Sequence, residues 1–335
     1  MVKNTYAGSR RVIVLGTGGT IAGRAADAHD NVGYTAGQLR VTELLEGVAP
    51  PAGIVLQTEQ VAQVDSKNMS FATWRSLAER CAHWLAEPDV AGLVITHGTD
   101  TLEETAFFLQ SVLAPLKPVV LTCAMRPATS LAPDGPQNVR DAIAVASSPD
   151  AHGVVAVCAG AVHSAFDVQK VHTYRADAFD SGDSGPVAYV EEGSLRELRN
   201  WPESPPEPAR RCFGLMLQAA RWPRVEILLS HTEARGSIVD ALILERQSGT
   251  AEEPVQGLVL ATTGNGTLHE ALEAAALRAQ AAGIAVVRAT RCPQGRILPT
   301  PGTALREAGA LTPVKARIAL VLELMAIHPN GVRSE

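Results

Sequence analysis

The chain has 335 residues, 46% hydrophobic and 19% charged, long enough for two domains and too apolar for a disordered protein. Its formal net charge is −6 with no block of Lys or Arg, which argues against nucleic acid as a partner. No run approaches the ~18 apolar residues of a membrane span, and the polar opening MVKNTYAGSRR lacks the apolar centre of a signal peptide, so a cytoplasmic protein is expected.

Residues 12–15 (VIVL) read as a strand buried on both faces. The run breaks at once into Gly16-Thr17-Gly18-Gly19-Thr20. Glycines so close together favour neither strand nor helix; they permit unusual φ and close backbone approach. A buried strand ending in a thin, hydroxyl-bearing loop is where an α/β protein places its ligand, although a plain tight connection would look similar. Residues 24–37 come next with no period of 2 or 3.6 and read as a lid loop. A helix is expected over 38–47, stopped by Gly47 and Pro50-Pro51, and a strand over 54–61.

After the polar loop 65–69, Ser70 caps a helix whose Phe71, Trp74, Leu77, Cys81, Trp84 and Leu85 share one face. Strands are expected at 92–96, 118–123 and 154–157, with helices from about 100 to 113 and from 138 to 147. Strand, polar loop and helix recur, the pattern of a doubly wound, mainly parallel sheet with ligands at the carboxyl ends of its strands. Thr20, Ser66, Thr99 and Asp100 all fall at such ends. Residues 161–189 are irregular, and Pro202, Pro205, Pro206 and Pro208 suggest a stiff, exposed connector. Strand–helix alternation resumes from 225, so a large α/β domain (1–195), a Pro-rich linker (196–222) and a smaller α/β domain (223–335) are expected.

The chemistry is narrowed by what is missing. Gly16-x-Gly18 invites the dinucleotide fingerprint, but Ile21 stands where its last glycine belongs, and no Lys comes after it for a P-loop. The five cysteines (Cys81, Cys123, Cys158, Cys212, Cys292) include no CxxC pair and the histidines no HExxH pair, so neither a metal site nor a disulfide frame is expected. A threonine nucleophile needs a base. Asp100 beside Thr99 supplies a carboxylate, or else caps the next helix with Glu103 as a capping box. Lys170 is an isolated candidate for accepting the Thr99 proton, though spacing alone favours a surface lysine.

TGGTIAG (17–23) with ITHGTDTLEETAFFL (95–109) resembles the bacterial L-asparaginase family of homotetrameric amidohydrolases, closer to its type II pattern. The likeness continues in order through CAMRPATS (123–130), DGPQN (134–138), DVQK (167–170) and AVVRATR (285–291). It implies hydrolysis of L-asparagine to L-aspartate and ammonia without a cofactor, at sites on a subunit interface. It further implies that Thr20 is the nucleophile and that Tyr34, on the lid, moves its proton. Thr99, Asp100 and Lys170 become a second hydroxyl–carboxylate–amine set, with backbone N–H groups near Thr99 receiving the oxyanion. Asp100 would bind the substrate ammonium and Ser66 its carboxylate, with Asp65, Gly19 and Thr267 as further contacts. Three departures stand out: Lys67 where glutamine is frequent, Thr267 where asparagine is frequent, and no glutamate soon after Arg291, the first being Glu307. They leave open a glutaminase-asparaginase of broader specificity, or a silent amino-acid-binding protein on the same fold.

Overall fold

A computed structural model describes residues 9–204 and 206–327. The opening segment 1–8 and Pro205 of the expected connector lie outside the described residues. The chain divides into two compact units, Met1–Arg210 and Arg211–Glu335.

The first unit is built on β1 (Arg10–Gly18), β2 (Ile54–Val64), β3 (Val90–Thr96), β4 (Val119–Thr122), β5 (Val154–Cys158), β6 (Ala161–Ser164), β9 (Ala188–Glu191) and β10 (Ser194–Glu197). They form one sheet in the order β10-β9-β6-β5-β4-β3-β1-β2. The five strands from β5 to β2 are mutually parallel; β6, β9 and β10 extend the sheet antiparallel. A short hairpin of β7 (Gln169–Lys170) and β8 (Phe179–Asp180) stands apart. Strands therefore run through 161–189, which alternation alone did not reveal: two- to four-residue strands are too short to display a period.

Val14 of β1 lies opposite Thr58 of β2 and Val94 of β3, so β1 is hydrogen-bonded on both edges. That explains its unbroken apolar run. Val12 and Val14 join a core cluster with Val139, Ala142 and Ile143 of α4 (Gly135–Ser147). Ile13 and Leu15, of opposite pleat, are equally buried. Helices α2 (Phe71–Ala86) and α3 (Leu102–Leu113) pack on each other, with Trp74 stacked on Phe108 at 4.7 Å. Each such aliphatic side chain contributes about 1.5–3 kcal/mol on burial.

The helix expected over 38–47 shrinks to a single turn, α1 (Val41–Leu44). The Gln38 and Leu39 N–H groups instead donate to the Ala22 carbonyl, which ties this segment to the glycine-rich loop. The stiff, exposed connector is corrected in part. Asn200 and Pro208 are exposed, but Trp201 and Pro202 are buried, and α5 (Pro206–Gln218) occupies most of the remaining connector. Its prolines stand in the first turn, where a missing N–H breaks no helical bond.

The second unit holds β11 (Val225–Leu229), β12 (Gly257–Thr262), β13 (Ala285–Thr290) and β14 (Arg306–Glu307), all parallel and in sequence order. Helices α6 (Ser237–Ser248) and α7 (Glu270–Ala281) share a core with this sheet, and α8 (Pro313–Ile327) packs on β11, β12 and β13. Both units are α/β, as the alternation predicts. Among the described residues no helix is long and apolar enough to cross a membrane.

Candidate active site

The glycine-rich loop draws three strand ends together. Gly18 and Gly19 hold φ of 105° and 81°. A Cβ on Gly18 would lie 2.5 Å from the Val64 carbonyl oxygen at the end of β2, and one on Gly19 would fall on the Gly98 backbone just beyond β3. A Cβ on Gly98 would in turn lie 2.5 Å from Ser66 Oγ. Only glycine lets these chains approach so closely. Thr20, Ser66 and Thr99 stand directly beside these contacts, all at most 6% exposed.

Thr20 opens a single 3₁₀ turn, Thr20–Ala22. Its Oγ1 is 2.6 Å from the hydroxyl of Tyr34. Tyr34 belongs to the loop expected as a lid, whose base is closed by two backbone bonds between Arg24 and Thr35. Asp30 accepts the Val32 and Gly33 N–H groups near the tip, and these bonds hold its carboxyl below the usual range. The loop docks on residues 128–131: Ala25 N–H donates to Thr129 Oγ1 and Ser130 Oγ donates to Asn31 Oδ1 at 2.7 Å. CAMRPATS thus ends in the segment that fastens the loop.

The second group lies at the end of β3. Lys170 Nζ donates to Thr99 Oγ1 at 2.8 Å and to Asp100 Oδ1 at 2.7 Å. The Lys170 side chain, on the β7–β8 hairpin, is 18% exposed, so it is not a surface lysine. Asp100 N–H donates to Ser66 Oγ at 3.2 Å, and Thr101 Oγ1 to the Ser66 carbonyl at 2.8 Å. These bonds lock the β2 loop to the β3 loop. The capping-box expectation for Asp100 is corrected: α3 begins at Leu102 with Thr101 at the cap position, and the Asp100 carboxylate is turned to Lys170.

The other sequence candidates take distinct places. Asp65 accepts the Lys67 N–H and pairs with its ammonium at 3.2 Å. Thr17 is spent on structure, its buried hydroxyl donating to the Thr96 carbonyl across the β1–β3 seam. Thr267 lies in the second unit, in a tight turn where its Oγ1 is 2.9 Å from that of Thr263. That turn is held by the buried Arg288, whose Nη1 donates to the Gly266 carbonyl. Among the described residues no group of three or more His, Cys, Asp or Glu side chains is placed to hold a metal ion.

Comparison with known proteins identifies the family. Residues 11–203 match the profile of the asparaginase N-terminal domain, and residues 224–328 that of the glutaminase/asparaginase C-terminal domain. The chain belongs to the asparaginase family. L-asparaginase 2 of Bacillus subtilis (strain 168) is 34% identical over 317 residues, spanning 93% of this chain and 81% of the relative. A glutaminase-asparaginase of Pseudomonas fluorescens biotype A is 32% identical over 333 residues, spanning 93% and 86%. The crystal structure of a probable cytoplasmic L-asparaginase from Campylobacter jejuni superposes with a TM-score of 0.84 at 33% identity, covering 94% of this chain and 95% of that one.

In this asparaginase the first glutamate after Arg291, Glu307, stands in β14 with its carboxylate 4.0 Å from the Arg288 guanidinium. Sequence reasoning passed over His97. This residue is fully buried, with its Nδ1 2.7 Å from the Gly98 carbonyl oxygen and its Nε2 2.9 Å from Thr105 Oγ1. Burial pushes its pKa down to about 4, against the raising effect of the Gly98 bond. The one available signal was its position, between the apolar strand β3 and Gly98-Thr99.

Proposed function

We propose that this asparaginase hydrolyses the side-chain amide of L-asparagine to L-aspartate and ammonia, with Thr20 as nucleophile. The observation that carries the reading is the convergence of two hydroxyl sets, Thr20–Tyr34 at 2.6 Å and Thr99–Lys170–Asp100 at 2.8 and 2.7 Å, on loops joined by the Gly19–Gly98 contact. Thr20 Oγ1 attacks the amide carbon while Tyr34 relays its proton. Backbone N–H groups near Thr99 receive the oxyanion, the C–N bond breaks and ammonia leaves with the proton. Water then cleaves the Thr20 ester, releasing aspartate and restoring the hydroxyl. Asp100 takes the substrate ammonium with its second carboxylate oxygen, and Ser66 the α-carboxylate, with Asp65 and Gly19 beside them. The residues named need no cofactor for this chemistry.

A cytoplasmic homotetramer, with a neighbouring subunit bringing Thr267 to the site, completes the reading. Family membership supports the assembly, and the Campylobacter relative supports the location. Purified protein with asparagine is expected to release ammonia, and Thr20→Ala to fall to background. Tight asparagine binding by calorimetry with no ammonia would replace this reading with that of a silent binding protein. Glutamine is the second substrate to assay, because one relative is named a glutaminase-asparaginase; the ratio of the two kcat/KM values sets the preference.

A further inference from the structure

Amide hydrolysis at Thr20 draws on the Thr99 hydroxyl and backbone and leaves His97, two positions earlier, without a task. His97 lies at the head of a buried chain of hydrogen bonds. Trp74 Nε1 on α2 donates to Thr105 Oγ1 on α3 at 2.9 Å. Thr105 Oγ1 is also 2.9 Å from His97 Nε2, and His97 Nδ1 is 2.7 Å from the Gly98 carbonyl oxygen. The two ends of the chain fix the proton positions. An indole N–H only donates and a carbonyl only accepts. Thr105 therefore accepts from Trp74 and donates its own O–H to an unprotonated His97 Nε2, which leaves the ring proton on Nδ1 facing Gly98. One neutral tautomer satisfies every group.

The Gly98 carbonyl and the Thr99 N–H belong to one peptide plane, which is trans among the described residues, so they point in opposite directions. Holding the carbonyl inward on His97 turns the Thr99 N–H away from the core. It also sets the direction from which the Thr99 hydroxyl meets Lys170. We propose that His97 is a positioning residue that donates Nδ1–H to the Gly98 carbonyl and fixes the Gly98–Thr99 peptide for catalysis, with Trp74 and Thr105 selecting the tautomer that donates. The proposal rests on the amidohydrolase reading, in which Thr99 acts on the amide.

Two pairs of variants test it. Thr105→Val removes the hydroxyl at constant shape and Thr105→Ser restores it. His97→Gln loses a donor at the Nδ1 position, whereas His97→Asn places its amide N–H there. Thr105→Val and His97→Gln are expected to lose about 100-fold in kcat, the cost of a misplaced reacting group, with KM for asparagine within about threefold of wild type. Thr105→Ser and His97→Asn keep kcat within about threefold. A soluble, folded His97→Gln with the wild-type kcat overturns the proposal, as does kcat that merely follows Tm across all four variants. Nitrogen NMR of the wild-type protein gives an answer that needs no variant: Nδ1 carrying the proton supports the proposal, and Nε2 carrying it overturns it. An active wild type is the control: no ammonia from it overturns the amidohydrolase reading and this proposal together, whereas an active wild type with an equally active His97→Gln overturns this proposal alone.

Discussion

Gly19 and Gly98 meet backbone to backbone, and neither has space for a side chain. The next residues along the two loops are Thr20 and Thr99. Gly19→Ala is expected to fail twice. Its φ of 81° with ψ near −173° is a glycine conformation that costs an L-residue about 1–3 kcal/mol. Its methyl would also push the β1 and β3 loops apart. Calorimetry should report the lowered Tm, and ammonia release a loss of about 100-fold or more for displacement of the reacting groups. A Gly19→Ala enzyme at the wild-type rate would remove any role for the contact.

The two threonines of the same loop should separate cleanly. Thr17 donates to the Thr96 carbonyl inside the sheet, whereas Thr20 faces Tyr34. Thr17→Val is expected to cost about 1–3 kcal/mol, because it leaves a buried carbonyl short of a donor, while keeping asparagine turnover. Thr20→Val, of the same shape, should abolish turnover and leave Tm nearly unchanged. The pair is read by measuring Tm and turnover on both proteins.

The large units of the fold were legible because their signals are long. Four of the five parallel strands, β1, β3, β4 and β5, carry apolar runs, and β1 to β4 are each succeeded by a polar loop and a helix. The site loops were legible for the opposite reason: Gly18-Gly19-Thr20 and Gly98-Thr99-Asp100 are polar and thin where a buried strand has just ended. What failed was short or non-local. β6 to β9 are strands of two to four residues and display no period. Asp100 reads as a helix cap until Lys170, seventy positions away, is seen to occupy its carboxylate. His97 makes sense only through Thr105 and Trp74, on two different helices.

Lys170 lends itself to a charge-against-base comparison. Lys170→Met removes the donor to both Thr99 and Asp100. Because the Asp100 side chain is 52% exposed, leaving it unpaired should cost no more than about 1 kcal/mol. Loss of proton transfer should cost about 10²–10⁴ in kcat. Lys170→Arg keeps a cation beside Asp100 but cannot give up its proton, so it should bind substrate and still turn over slowly. An arginine enzyme at full rate would reduce the lysine to a positioning charge. The readout is kcat and KM for asparagine on both variants.

The loop carrying Tyr34 offers a split between chemistry and closure. Tyr34→Phe removes the hydroxyl 2.6 Å from Thr20 and is expected to lower kcat by about 10²–10⁴. Ser130→Ala removes the bond to Asn31 that helps to fasten the loop, along with the long bond from the Ala132 N–H. It should raise KM while leaving kcat within about threefold, since closure then becomes less favourable without touching the reacting atoms. Equal kcat losses in the two variants would mean that the loop and the chemistry cannot be separated.

His97 also predicts how stability depends on pH. Its ordinary pKa of 6.5 applies when the chain is unfolded, and burial brings it to about 4 in the folded protein. Between those values the unfolded chain takes up a proton that the folded one refuses. Stability therefore rises with pH across this window, and it falls as pH drops from about 6.5 to 4, by about 3 kcal/mol in total for this one group. Above 6.5 both states hold a neutral ring and the contribution is constant. His97→Asn has no proton to gain, so its denaturation free energy should decline less over the same window by about 3 kcal/mol. Urea melts of both proteins at pH 7, 5.5 and 4.5 measure the difference. Parallel curves would mean that the folded protein accepts the proton as readily as the unfolded one, and that the neutral donor tautomer facing Gly98 is not held by the fold.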